Sequence, residues 1–89
     1  MKTYRFIVYG KVQGVWYRKT IKEEASKEGI KGYVKNLPDG TVEVVANLKQ
    51  EDMEKFLKIL KKGSLLSKVE NIEMGEIMPM YFEDFEVRY

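Results

Sequence analysis

Apolar and polar residues alternate from the start of the chain. Tyr4, Phe6 and Val8 fall on one side and Thr3 and Arg5 on the other, which predicts a strand over residues 3–9. Gly10 to Tyr17 breaks the alternation with two glycines. A helical pattern follows from about Arg18 to Glu28, with Ile21 and Ala25 on one side and Glu23, Lys27 and Glu28 elsewhere. Gly29 fits the position just past a helix end, and Ile30 the hydrophobic contact beyond it. Residues 31–36 read as a second strand. Leu37-Pro38-Asp39-Gly40 is a turn, in which Pro presets one backbone angle and Gly accepts a positive one. Alternation resumes from Thr41 to Leu48 through Val42, Val44, Ala46 and Leu48, so strands two and three form a hairpin. From about Gln50 to Lys62, the residues Met53, Phe56, Leu57 and Leu60 make one apolar stripe of a second helix. Lys61 and Lys62 suit its C-terminal dipole, and Gly63 ends it. Residues 69–77 read as a weaker strand. After Pro79, residues 83–88 form a last one, with Phe85 and Val87 on one face.

The order is β-α-β-β-α-β plus a short C-terminal strand. That is the α+β, ferredoxin-like split βαβ sandwich, with two helices on one face of a mainly antiparallel sheet. The chain has 89 residues, of which 44% are hydrophobic, so a single domain over residues 1–89 with an ordered core is expected. There is no internal repeat, linker or low-complexity stretch. Many functions share this fold, so the site must name the function.

Composition removes several chemistries. There is no cysteine, which excludes thiol catalysis, disulfides and Cys-ligated metals. There is no histidine, so the commonest general base near neutral pH is missing. Net charge is +2 with acids and bases interleaved, and no block of like charge marks a nucleic-acid arm or a membrane patch. No stretch approaches the roughly 20 apolar residues of a membrane span, and a cytoplasmic protein is expected.

Gly10-Lys11-Val12-Gln13-Gly14-Val15-Trp16-Tyr17-Arg18 joins a strand to a helix. A helix start exposes unpaired N–H groups, which Ser, Thr, Asp or Asn usually caps. None of these occurs from Gly10 to Lys19, and Gln13 is a poor cap. An anion suits such donors, Gly14 permits close approach, and the Arg18 fork matches phosphate. The other reading is that water satisfies the donors and Arg18 is a surface charge. Lys11 is either a second cation or a solvated lysine at a strand end. Trp16 and Tyr17 either stack on a ligand or, for Tyr17, lead into the Ile21 and Ala25 stripe of the core. Asn36 ends a strand before a turn. There it is either a turn residue bonded to its own backbone or a neutral donor and acceptor able to orient water. Asp39 is turn chemistry.

Both segments resemble signatures of the acylphosphatase family. The first, Gly-x-Val-Gln-Gly-Val-x-Phe-Arg, stands here as Gly10, Val12, Gln13, Gly14, Val15 and Arg18, with Tyr17 in the Phe place. The second, Gly-x-Val-x-Asn followed by Asp-Gly-x-Val-Glu, stands as Gly32, Val34, Asn36, Asp39, Gly40, Val42 and Glu43. The resemblance covers the whole chain but is thin after about residue 63. It implies hydrolysis of the carboxyl-phosphate bond of acyl phosphates. Arg18 would bind the phosphate, Asn36 would hold the attacking water, and the backbone of Gln13, Gly14, Val15, Trp16 and Tyr17 would form the cradle. It further implies a free-standing monomer that acts on a small molecule, with no metal or other cofactor and no nucleic acid.

That chemistry fits a chain without histidine or cysteine. The leaving carboxylate has a conjugate acid of pKa about 4 and departs without a proton. Phosphoryl transfer is mostly positioning and charge stabilisation. With no candidate base, the substrate's own phosphate oxygen is expected to take the proton. The alternative is a non-catalytic ferredoxin-like module that binds phosphate or RNA, although Tyr4, Phe6, Tyr9 and Tyr33 do not spell an RNA-recognition motif. Three departures from the family stand out. Trp16 occupies a usually small position and bears on substrate preference. Gly63-Ser64-Leu65-Leu66 and Leu48 replace the family's usual residues, and both are expected to alter local loops only.

Overall fold

A computed structural model describes residues 1–89. In chain order the elements are β1 (Lys2–Lys11), α1 (Tyr17–Lys27), β2 (Lys31–Asn36), β3 (Val42–Leu48), α2 (Met53–Lys62), β4 (Lys68–Ile77) and β5 (Phe85–Arg88). The five strands form one sheet in the order β4-β1-β3-β2-β5. β3 lies between β1 and β2 and is antiparallel to both, which is the split βαβ plan. β4 is antiparallel to β1, and β5 runs parallel to β2. The fold class is therefore the one the element order predicts. No helix is long and apolar enough to cross a membrane.

Alternation decides which side chains meet. Phe6 and Val34 both pair with Val44, and Val34 also pairs with Val87, so one row of apolar residues crosses four strands. Both helices cover this face. Ile21 and Ala25 of α1 and Phe56 and Leu60 of α2 are buried against it, and the Phe6 and Phe56 rings sit 5.3 Å apart. The next row along contains Val8, Val42 and Asn36. The period that buries Val34 therefore aims Asn36 at the helix-bearing face, at the end of its strand.

Local signals act where they were read. Gly29 takes a φ of 71°, the Gly29 N–H bonds the Ser26 carbonyl, and the Ile30 N–H bonds the Ala25 carbonyl. With Ile30 buried, this is a complete Schellman stop for α1. The second helix differs in its first turn. Gln50–Asp52 is 3-10, and the α-helix starts at Met53. No side chain caps the Lys49 end, and a tightened first turn is a common way for a helix to begin. β4 is longer than its pattern suggested, at ten residues. It is an edge strand with Glu70, Glu73, Met74 and Glu76 exposed, so its apolar alternation is weak while its pairing with β1 is extensive.

Candidate active site

The β1–α1 loop is pinned from below. Val12 and Val15 are buried in the core, while Gly14 and Trp16 between and after them stay exposed. Gly14 has φ 71°, and Trp16 has φ 66° and ψ 17°. Trp16 is the one non-glycine residue in the chain with positive φ. A side chain in this left-handed region costs about 1–2 kcal/mol. Two bonds to the Trp16 carbonyl hold it there, from the Thr20 N–H at 3.1 Å and the Thr20 hydroxyl at 2.9 Å. Left-handed residues in a short turn swing successive N–H groups toward one side, the conformation of which anion-binding nests are made.

The helix start is uncapped, as the missing Ser, Thr, Asp and Asn predict. Trp16 makes no side-chain cap bond, and no acidic residue lies in the first turn of α1. None of the backbone N–H groups from Gln13 to Lys19 donates to another protein atom. Gly14, Trp16, Tyr17, Arg18 and Lys19 of this segment border an open cleft of about 530 Å³, which is also lined by Val12, Lys22, Asn36, Val87 and Tyr89.

Arg18 is half-buried at the start of α1. Its Nη1 donates to the Arg88 carbonyl at 3.1 Å, and its guanidinium carbon lies 4.6 Å from the centre of the Tyr89 ring. Asn36 presents a buried Oδ1 that accepts no hydrogen bond, the one such buried side-chain atom in the chain. Buried polar atoms are nearly always paired, so this one needs an explanation. Turn chemistry does not supply it. That work falls to Asp39, whose Oδ1 accepts from the Thr41 hydroxyl at 2.6 Å and the Thr41 N–H at 3.0 Å. Those two bonds hold the Asp39 carboxyl below its ordinary pKa.

The other expected residues divide between lining and bracing. The Gln13 side chain points away from the cleft. Its Nε2 donates to the carbonyls of Leu37 and Thr41, both at 2.8 Å. Tyr17 is a core residue. Its hydroxyl donates to the Leu60 carbonyl at 2.7 Å, and burial pushes its phenol well above the usual range. Trp16 is 70% exposed at the rim, with the Lys19 Nζ 5.6 Å from its ring centre. Lys11 is exposed on β1 and does not line the cleft, so of its two readings the solvated lysine holds.

Three contributors escaped the sequence reading. Tyr89 and Arg88 meet Arg18 from the far end of the chain. Lys22 lines the cleft one helical turn from Arg18, a spacing that the α1 pattern already contains. Ser64 corrects an expectation. The Gly63-Ser64-Leu65-Leu66 segment is not a local variation, because the Ser64 hydroxyl donates to the Val15 carbonyl at 2.5 Å and so braces the loop from beneath. Leu48, by contrast, packs into the core at the end of β3.

The opposite sheet face carries a separate polar cluster. Arg5 Nε donates to Glu43 at 2.6 Å and the Tyr33 hydroxyl donates to the same carboxylate at 2.8 Å. The Arg88 guanidinium covers the Tyr33 ring at 4.0 Å. Burial, helped by the bond to Glu43, raises the Tyr33 phenol to about 12. Burial also pushes the Glu43 carboxyl up, but the bonds from Arg5 and Tyr33 outweigh it and leave the group below its ordinary pKa. RNA-recognition domains expose stacking aromatics on this face; here Tyr33 is already covered.

Comparison with known proteins follows the same residues. A family model described as Acylphosphatase matches residues 4–87. An acylphosphatase of Bacillus licheniformis is 41% identical over 90 aligned residues, covering all of both chains. One of Thermus thermophilus is 48% identical over 68 residues, which is 76% of this chain and 77% of the relative. The crystal structure of the acylphosphatase from Bacillus subtilis superposes with a TM-score of 0.92 at 38% identity, again over the whole of both chains.

Proposed function

The chain belongs to the acylphosphatase family and hydrolyses acyl phosphates, and we propose a division of labour in its cleft in which Arg18 and the loop amides grip the phosphoryl group while Asn36 places the attacking water. The observation that carries this reading is that Asn36, whose buried Oδ1 has no hydrogen-bond partner, lines the same cleft as Arg18 and as Gly14, Trp16, Tyr17 and Lys19, whose backbone N–H groups are free.

The N–H groups and Arg18 are all donors, so they fit the charged phosphoryl oxygens. Asn36 supplies an acceptor to one side of them. A water that donates to Oδ1 has its lone pair turned away from Asn36 and free for phosphorus. As the water oxygen bonds to phosphorus, the bond to the acyl oxygen breaks and the carboxylate leaves with its electron pair. A proton of the water passes to a phosphoryl oxygen, because the lining holds no histidine and no carboxylate side chain to take it. Asn36 orients water and does not deprotonate it, since an amide holds no titratable proton in this range. The donors are fixed before substrate arrives, which is the condition under which electrostatic stabilisation is strongest.

All of these groups come from one chain, which supports a monomer acting through the single domain of residues 1–89. The direct test is hydrolysis of benzoyl phosphate by the wild type beside Arg18→Ala and Arg18→Lys. Arg18→Ala should lose at least about 10²-fold in kcat/KM. Arg18→Lys should recover little of it, because an ammonium lacks the planar fork. Full activity in Arg18→Ala would remove Arg18 from the site.

A further inference from the structure

The cleft carries more positive charge than one phosphoryl group needs. Arg18 and Lys22 stand one turn apart on α1, with Cβ atoms about 5–6 Å apart, and Lys19 shares the lining. No acidic side chain lines the cleft, and none of the three cations forms an ion pair. Lysines elsewhere on the helices are either paired, Lys27 with Glu24, Lys55 with Glu28 and Lys58 with Glu54, or, as with Lys61 and Lys62, placed in the last turn of α2 where the dipole favours a cation. The grouping is unfavourable for the protein by itself. Like charges at i, i+4 repel, and cations near a helix start oppose its dipole.

The phosphoryl group is served by the loop N–H groups and Arg18, and Lys19 is drawn to the Trp16 ring. Lys22 is left as an unmatched point charge one turn further along. At about 530 Å³ the cleft is in the range of sites that hold a whole small molecule, with room beyond a phosphate.

We propose that Lys22 forms a second anion subsite, so that this chain favours acyl phosphates whose acyl part carries a further carboxylate or phosphate away from the reacting bond. The inference rests on the acylphosphatase reading above. A lysine ammonium takes either anion, so the two sources must be separated by experiment.

Rigid para-substituted benzoyl phosphates do this without self-cyclisation. The probes are 4-carbamoylbenzoyl phosphate, which is neutral at the para position, 4-carboxybenzoyl phosphate and 4-phosphonobenzoyl phosphate. Each is tested with the wild type, Lys22→Met and Lys22→Glu. The wild type should prefer an anionic probe to the carbamoyl probe by about fivefold in kcat/KM, the strength of a partly exposed ion pair. That ratio should fall toward one in Lys22→Met, drop below one in Lys22→Glu, and shrink for the wild type as salt is raised. The larger of the two anionic preferences identifies carboxylate or phosphate. A wild-type ratio near one, or a ratio that survives Lys22→Met, overturns the subsite while leaving the hydrolase intact. Failure of the wild type to hydrolyse any of the probes, or benzoyl phosphate itself, overturns the hydrolase reading and the subsite with it. Lys22 is exposed, so its replacement does not threaten the fold.

Discussion

Gln13 holds the Leu37 carbonyl at 2.8 Å and so ties the β1–α1 loop to the residue that follows Asn36. The same amide nitrogen also bonds Thr41, on the other side of the turn. The two halves of the site come from segments more than twenty residues apart in sequence, and this side chain sets their spacing. Gln13→Leu fills a similar volume but removes the side-chain bond to each carbonyl, leaving Leu37 only the Gly40 N–H and Thr41 only the Leu37 N–H. It should cost about 1–3 kcal/mol of stability. Its kcat for benzoyl phosphate should fall by about tenfold or more, because small displacements of reacting groups are costly. A variant that lost stability but kept wild-type kcat would show that Gln13 supports the fold and not the register of the site.

Tyr89 stacks on Arg18 while the Arg88 carbonyl holds Nη1 from the side. The ring leaves the other guanidinium N–H groups free to face the cleft. Tyr89→Ala should raise KM several-fold and loosen inhibition by inorganic phosphate, with a smaller change in kcat. Tyr89→Phe should restore both, because the contact uses the ring face and not the hydroxyl. If Phe fails where Tyr succeeds, the stacking account of Arg18 is wrong.

Much of this site is legible in the sequence, and the residues show why. The free N–H groups follow from a cap residue that is not there, and the Gly29–Ile30 stop from a motif six residues long. The facing of Asn36 follows from strand period, since Val34 two residues earlier is core. The setting of Arg18 is different. Its carbonyl partner is seventy residues away, and no local pattern links the two. The Ser64 brace under Val15 is equally silent, because a lone serine after a helix reads as loop. Pairings of that range come from strand order, with β5 beside β2, and that order is a property of the whole sheet.

The pH dependence of turnover should be informative by its flatness. The chain has no histidine, no carboxylate side chain lines the cleft, and burial raises the Tyr17 phenol, so the cleft lacks the side-chain types that ordinarily act as bases near neutral pH. The kcat for benzoyl phosphate should show no enzyme inflection between about pH 6 and 8. An inflection there that disappeared on replacing one protein side chain would reveal a general base that the proposed mechanism lacks.

Stability should respond to pH through Glu43 on the opposite face. Its carboxyl lies lower in the fold than the ordinary value of 4.5, so the folded state favours the charged form. That contribution is present above the unfolded pKa and is lost as pH falls through the folded one. In denaturant titrations, Glu43→Gln should be less stable than wild type at neutral pH, and the gap should narrow below about pH 4. A gap that stayed constant down to low pH would mean that packing, not charge, accounts for the Arg5–Glu43–Tyr33 cluster.

In the proposed cleft, gripping phosphate and placing water belong to different residues. The kcat for benzoyl phosphate and the inhibition constant of inorganic phosphate, measured together on Asn36→Ala, separate the two roles. If Asn36 places the water, kcat should fall by about 10²-fold while the inhibition constant for phosphate stays within a few-fold of wild type, since Arg18 and the loop amides are untouched. Loss of phosphate binding in proportion to kcat, or an Asn36→Ala enzyme with wild-type turnover, would show that Asn36 does not place the water.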